Sequence, residues 1–531
     1  MSHPAPNALN EMDTAVLGES VWPLRRTLLI VGGAGLLLAV LATALPLFDG
    51  GWKRLGFAYL IAYAFALAIT LGSLFFVLIT TLFRAGWCVA FRRVPEVLAA
   101  NMPTMGGLAV PVLVMAYFGG ADSFIYPWSQ DGIHKAGKAI ANHNENLKDF
   151  GGQGAEDTAP HAASGGGHLF LQTVADDGHA SPDHGGGGTE HGSAESDHGG
   201  GHAHTHDHGH GEGHHAWTHT AELNPDHSHA TPYFVYKKGA WYTSTFFVIR
   251  WVFYIAVWSL IGWFFWSRSV RQDADGDLEH THRREWWAPL SVAAFAVTVT
   301  LASFDLLMSL DPVWYSTMFG VYFFAGCFTA AICTTIIILM LGQRAGYFPA
   351  VTTDHFHDLG KLLFAFVFFW GYVGFSQFML IWYASLPETT YWWEIRGVTS
   401  VSGDALMDAP ATFGSSWTVV AWTLLFAHLL FPFAILLSKH VKRNRVALFT
   451  MACWMLVLCY VDIFWVAMPA LSSPDLYFGL PEIGCLVFCV AIMLAEALRR
   501  ASAHSLTAHR DPRMHESLAL DTSAWAPIHT H

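Results

Sequence analysis

The sequence predicts an all-α polytopic membrane protein of about ten transmembrane helices, and three observations predict it. Hydrophobic residues make up 53% of the 531 positions while charged residues make up only 13%, a balance too apolar for a soluble globular chain. Ten nearly uninterrupted apolar runs follow one another, each near the length of about 20 residues that a helix needs to cross a bilayer. Basic residues gather in alternate loops, the pattern of a chain threaded back and forth through a membrane.

The runs fall near 28–47, 56–83, 97–118, 241–266, 288–309, 317–341, 359–386, 416–437, 446–468 and 479–498. Arg25 and Arg26 precede the first. The even-numbered loops and the C-terminal flank carry Arg84, Arg92, Arg93, Arg268, Arg271, Arg283, Arg284, Arg344, Lys439, Lys442, Arg443, Arg445, Arg499 and Arg500. Short odd-numbered loops hold only Lys53, Arg54 and Arg396. The positive-inside rule then puts both termini in the cytoplasm. The opening residues lack a basic region joined to a short apolar core and a cleavage site, so the first span is expected to do the targeting. The chain divides into a cytoplasmic segment 1–26, three spans in 27–118, a loop 119–240, seven spans in 241–498 and a cytoplasmic tail 499–531.

Several spans carry local punctuation. The second has Thr70, Gly72 and Ser73 at its centre, small residues that let helices approach closely in lipid. The third contains Pro103, Gly106, Gly107 and Pro111, so it is expected to kink or begin late. Trp241, Trp258, Trp263 and Trp266 along the fourth read as interfacial anchors. In the eighth, Pro432 removes the N–H that would bond the carbonyl of His428, which predicts a bend there.

The loop 119–240 is different material. It holds 18 of the 30 histidines, and 16 acidic residues against 5 lysines. The stretch HGGGGTEHGSAESDHGGGHAHTHDHGHGEGHH has too few apolar side chains to offset the entropy of ordering, so a mobile, solvated insertion is expected. Imidazoles could take Zn²⁺, Cu²⁺ or Ni²⁺, but no spacing defines a closed site, and no metal is assigned. Seven cysteines lie in or beside spans without any CxxC or CxxCH pattern, which leaves them as small packing residues. His428 is the only histidine well inside a span, so a facing haem-ligand pair is lacking and no redox cofactor is expected in this chain.

Ionisable groups inside spans are expensive and are functional candidates by default. In HFHDLGKLLFAFVFFWGYVGFSQFMLIWYASLPE, residues eleven apart return to nearly one face, so Lys361, Tyr372 and Tyr383 form a stripe, with Asp354, His357, Asp358 and Ser376 beside it. That side is expected to face protein or water. The candidate proton path comprises His355, His357, Asp358 and Lys361 as an entry cluster, then Tyr372, Tyr383, Glu388, Asp305, Ser309, His428 and Asp462. Phe368 and the apolar run from Leu362 to Gly371 interrupt it, so water or other helices must bridge the gap. In the fifth span Thr298, Ala302, Asp305 and Ser309 share a face, whereas Asp311, before Pro312, reads as a turn residue.

The segments ASFDLLMSLDPVWYSTMFGVYFFAG, HDLGKLLFAFVFFWGYVGFSQFMLIWYASLPE, LLFPFAILLSKHVKRN and VDIFWVAMP together resemble the NrfD-like, or polysulfide-reductase-like, membrane subunits. Within that family they are most similar to the ActF-type subunits of bacterial alternative complex III. The resemblance covers nearly all the membrane part; the histidine-rich insertion departs from it. It implies two four-helix bundles with flanking helices in a bacterial inner membrane, the loop 119–240 then being periplasmic. It also implies a subunit of a quinol:cytochrome c or high-potential iron-sulfur protein oxidoreductase. The expected partners are an ActC-like membrane subunit, subunits holding iron-sulfur clusters and haem c, and a terminal oxidase, with lipids around them and no nucleic acid.

The resulting expectation is a proton-conducting or coupling subunit, not catalytic by itself. A second reading is a quinone (menaquinone) site at Asp305, His428 or Tyr383, since a headgroup needs only one or two donors in an apolar pocket. A structural scaffold is a third. A metal transporter is disfavoured, because the histidine tract falls on the periplasmic side.

Overall fold

The fold was described from a computed structural model, in which residues 16–45, 50–118, 125–129, 138, 235–398, 416–472 and 475–520 are described. The histidine-rich stretch and the side chain of Glu388 lie outside the described residues. Among those residues no strand forms, and ten helices are long and apolar enough to cross a membrane. They are α1 (Trp22–Ala44), α2 (Gly51–Leu82), α3 (Arg93–Tyr117), α4 (Ser244–Asp275), α5 (Glu279–Leu306), α6 (Phe319–Arg344), α7 (Thr353–Ala384), α8 (Ser416–Leu437), α9 (Arg445–Ala467) and α10 (Leu480–Ala501). The chain is a multi-pass membrane protein.

Two rings of four helices make up the interior. In the first, α2, α3, α4 and α5 pack in succession and α5 returns to α2; in the second, α6, α7, α8 and α9 do the same. The rings meet where α2 lies along α6. Gly72 permits this, because a Cβ there would sit 2.0 Å from the carbonyl oxygen of Cys327. Outside both rings α1 and α10 form a close pair. A Cβ on Gly484 would come 2.4 Å from the Gly35 carbonyl oxygen, so the two backbones touch. Both described ends of the chain lie on one face, where Val16 and Ser505 form a backbone bridge. We call this the terminal face and its opposite the loop face.

The local signals behave as the backbone requires. The third span breaks at Asn101 into Arg93–Ala99 and Met102–Tyr117, with Pro103 in the first turn of the second piece. In α8 the segment Leu424–Leu430 winds as a π-helix, and the N–H of Phe431 bonds the carbonyl of Phe426. The wider turn absorbs the donor that Pro432 lacks. Asp311 is a turn residue: its Oδ1 accepts from the N–H groups of Val313 (3.1 Å) and Trp314 (3.2 Å). One tryptophan expected at the interface is instead inside, and a second is half-buried. Trp258 is buried and donates to Thr298 (2.8 Å), and Trp241 donates to Asp305 (3.0 Å). Part of the long loop also belongs to the core, since Tyr126 donates to the Leu306 carbonyl at 3.0 Å and stacks on buried Trp128.

Within the tail, residues 506–518 fold back under the terminal face. Asp511 accepts from Arg92 (2.7 Å) and Arg284 (3.1 Å), and Glu96 meets Arg92 (2.8 Å) and Arg93 (3.2 Å). Although burial opposes ionisation of Asp511, the Arg92 and Arg284 guanidiniums hold its carboxyl well below the usual carboxylate range. A lowered folded-state pKa contributes stability above the unfolded value and loses it as pH falls through the folded one. Tail attachment should therefore persist from neutral pH down to about pH 4, near the unfolded value, and weaken only below it. Asp511→Ala should cost about 1.5–3 kcal/mol, the range for a hydrogen bond to a charged group. Limited proteolysis of the tail across pH reads both, and release of the wild-type tail near pH 6 would contradict the assignment.

Candidate functional site

The sequence-predicted residues separate into three places. Asp305 closes the first ring. Its carboxylate is buried and receives Arg250 Nε on Oδ2 (2.8 Å) and Arg250 Nη2 on Oδ1 (2.7 Å), a two-point clamp from α4. Trp241 and Tyr254 (3.1 Å) complete its shell. Ser309 donates to the Asp305 carbonyl at 2.6 Å. The guanidinium also lies over Trp241 at 4.1 Å and Phe246 at 4.5 Å. With its hydrogen-bonding capacity used by one cation and two neutral donors, Asp305 is a fastener between α4 and α5.

The proposed entry cluster sits at the terminal end of α7 and has ordinary partners. His355 is buried: Nδ1 accepts from the Thr352 N–H (3.1 Å) to cap the helix, while Nε2 faces Ser517 Oγ at 3.0 Å. Ser517 in turn donates to the Trp87 carbonyl (2.8 Å). His355 thus pins the tail to α7. Lys361 pairs with Asp358 at 2.5 Å and Arg443 with Asp354 at 2.5 Å. His357 lies 4.0 Å from Asp358.

The stripe is where sequence and structure differ most. Lys361, Tyr372 and Tyr383 do share one face, but it is the outer one, with Tyr372 58% and Tyr383 84% exposed. Between Lys361 and Trp370 the inward face of α7 is apolar, and Leu359, Leu363 and Val367 are buried against α6 and α9 residues such as Ile336 and Met455. The cluster at His355–Lys361 is therefore not joined to the interior along α7.

Asp462 and His428 are brought together in the second ring. Asp462, on α9, is 5% exposed and accepts from the Tyr322 hydroxyl on α6 and from Trp370 Nε1 on α7 (3.1 Å). No cation pairs with it among the described residues. The ring of Trp370 stacks on His428, ring centroids 4.0 Å apart at 28°. The His428 ring is fully buried, and neither Nδ1 nor Nε2 has a hydrogen-bond partner. The π-helical turn carries this ring. Beside Asp462 lies a small cavity lined by Tyr322, Gly326, Cys327, Cys459 and Ile463, with room for about one water.

This arrangement holds a carboxylate, two neutral donors and an imidazole at one level of the membrane, chemistry suited to moving a proton. Of the residues considered for a quinone, Asp305 has a complete shell and Tyr383 is exposed on the outer surface. Among the described residues no group of His, Cys, Asp and Glu is placed to hold a metal ion.

Sequence reasoning missed Arg250, Tyr322, Trp370 and Arg396. Arg250 was visible as a charge inside an apolar run, STFFVIRWVFYIAVW, and deserved the same suspicion as Asp305. Arg396 lies beyond the loop-face end of α7. It is buried, donates to the carbonyls of Trp392 (2.8 Å) and Val466 (2.6 Å), and lies over the Trp392 ring at 3.6 Å. Burial pulls its guanidinium down to about 9, against the pull of Asp311. Val466 is one helical turn past Asp462, so the guanidinium is anchored just outside the site.

No family model matches the chain, and no curated protein matches it.

Proposed function

We propose that the chain is an ActF-type, NrfD-like membrane subunit of an alternative complex III, a quinol:cytochrome c or high-potential iron-sulfur protein oxidoreductase. Its part is to carry or couple protons through the second ring, around Asp462. The terminal face is the cytoplasmic side of a bacterial inner membrane, and the histidine-rich loop is periplasmic. Redox centres reside in partners, an ActC-like membrane subunit and subunits with iron-sulfur clusters and haem c, which pass electrons on toward a terminal oxidase.

One observation carries the proton reading. Asp462 is a buried carboxylate held only by neutral donors, Tyr322 and Trp370, beside a water-sized cavity and across one indole ring from an unpartnered imidazole. A carboxylate kept for structure is normally matched by a cation, as Arg250 matches Asp305. A group that must gain and lose a proton is served better by donors that tolerate both states.

Asp305–Arg250 and the tail clasp favour an accompanying scaffold role. They fix α4 to α5 and close the terminal face, each carboxylate being matched by a guanidinium.

Affinity isolation of a tagged chain from its native membrane tests the assignment to the complex. Haem c and iron-sulfur subunits should copurify, with quinol-dependent reduction of an electron acceptor. Recovery of the chain alone, with no quinol oxidation, would contradict it.

A further inference from the structure

We propose that the paired ends of α1 and α10 at the terminal face form a binding site for the phosphate headgroup of an anionic phospholipid. Three guanidinium groups, Arg25 in the first turns of α1 and Arg499 and Arg500 in the last turn of α10, gather about a single carboxylate, Glu496. Arg499 takes most of that carboxylate, its Nε lying 2.9 Å and 2.8 Å from the two oxygens, while Arg500 reaches it only at 3.5 Å. Arg25 is within electrostatic reach of Glu496 but makes no ion pair within 4 Å among the described residues. Its Nε and that of Arg500 are shielded from solvent and have no hydrogen-bond partner.

The contrast with the rest of the chain identifies what is missing. Arg54, Arg92, Arg93, Arg250 and Arg284 are equally desolvated or more so, and each meets a carboxylate, while buried Arg396 fills its donors with two backbone carbonyls. Among the described residues Glu496 is the one carboxylate that Arg499 and Arg500 meet, so an anion from outside balances Arg25 and Arg500. Its position selects the source. The arginines lie at the end of two spans, above an outer surface where Leu29, Ile30 and Leu37 are 39%, 71% and 59% exposed. A diacyl phosphate places its anionic group at this level and its chains along those leucines, which a soluble anion cannot do.

Native mass spectrometry of the full chain, released from nanodiscs of mixed phosphatidylglycerol and phosphatidylcholine, tests the site. Phosphatidylglycerol should be retained above its share of the bilayer. Arg25→Gln with Arg500→Gln should lower that retention by about thirtyfold, the effect of removing two basic groups worth about 1 kcal/mol each. Removing two basic groups elsewhere on the same face, Arg271→Gln with Lys439→Gln, should leave it unchanged. An equal loss in both double variants would mean diffuse attraction and overturn the site, as would equal retention of both lipids by the wild type. If the first double variant does not fold, Glu496→Gln supplies the test, because freeing Arg499 should raise retention; no rise, or a fall, overturns the proposal.

Discussion

Asp305→Ala is expected to destabilise the protein by about 3–5 kcal/mol, because it strands a desolvated guanidinium in the first ring. Arg250 is 6% exposed and spends Nε and Nη2 on this one carboxylate. Its remaining partner, the Trp241 carbonyl at 2.9 Å, offers no charge. Removing both sides of the pair should be far milder. Arg250→Met with Asp305→Leu replaces two charges by apolar groups of similar bulk, and such exchanges are often close to neutral. Unfolding of the purified chain in detergent distinguishes the cases. A single variant that melts with the wild type would show that the pair is not the fastener described.

Asp462→Asn should behave in the opposite way. No cation loses its partner, so the stability cost is limited to one mismatched donor, about 1–3 kcal/mol. The functional cost should be larger, since an amide cannot take up and release a proton. Proton movement by the assembled complex should fall on the order of 10²-fold or more, the scale of a positioned acid–base group. Asp462→Glu should restore part of it. Asp305→Asn, which keeps the fold's shape at a residue outside the second ring, should not reproduce the proton defect in whatever fraction of the protein assembles.

The spans were legible because bilayer thickness imposes one length on them all, and so were the proline-driven events. The π-helical turn before Pro432 and the break in the third span before Pro103 follow from a missing donor, which is local information. Which face points inward was not legible. In a soluble protein the apolar face is the buried one, but here lipid and core are equally apolar, so periodicity finds a stripe without saying where it points. Lys361, Tyr372 and Tyr383 show this: the eleven-residue spacing put them on one face, and in the chain that face is the exposed outer one. Long-range pairs were out of reach for another reason. Arg54 meets Glu482 across 428 residues and Arg92 meets Asp511 across 419, and nothing in one helix announces its partner in another. Asp462 and His428 were identified as separate candidates; the indole of Trp370 that joins them read as one more aromatic in a greasy run.

The central claim is that Asp462 exchanges protons as electrons pass through the complex. Its most direct test is the number of protons moved per electron by the complex reconstituted in vesicles, compared between wild type and Asp462→Asn. A ratio that collapses in the variant and recovers with Asp462→Glu is the expected result. An unchanged ratio in a fully assembled Asp462→Asn complex would contradict it.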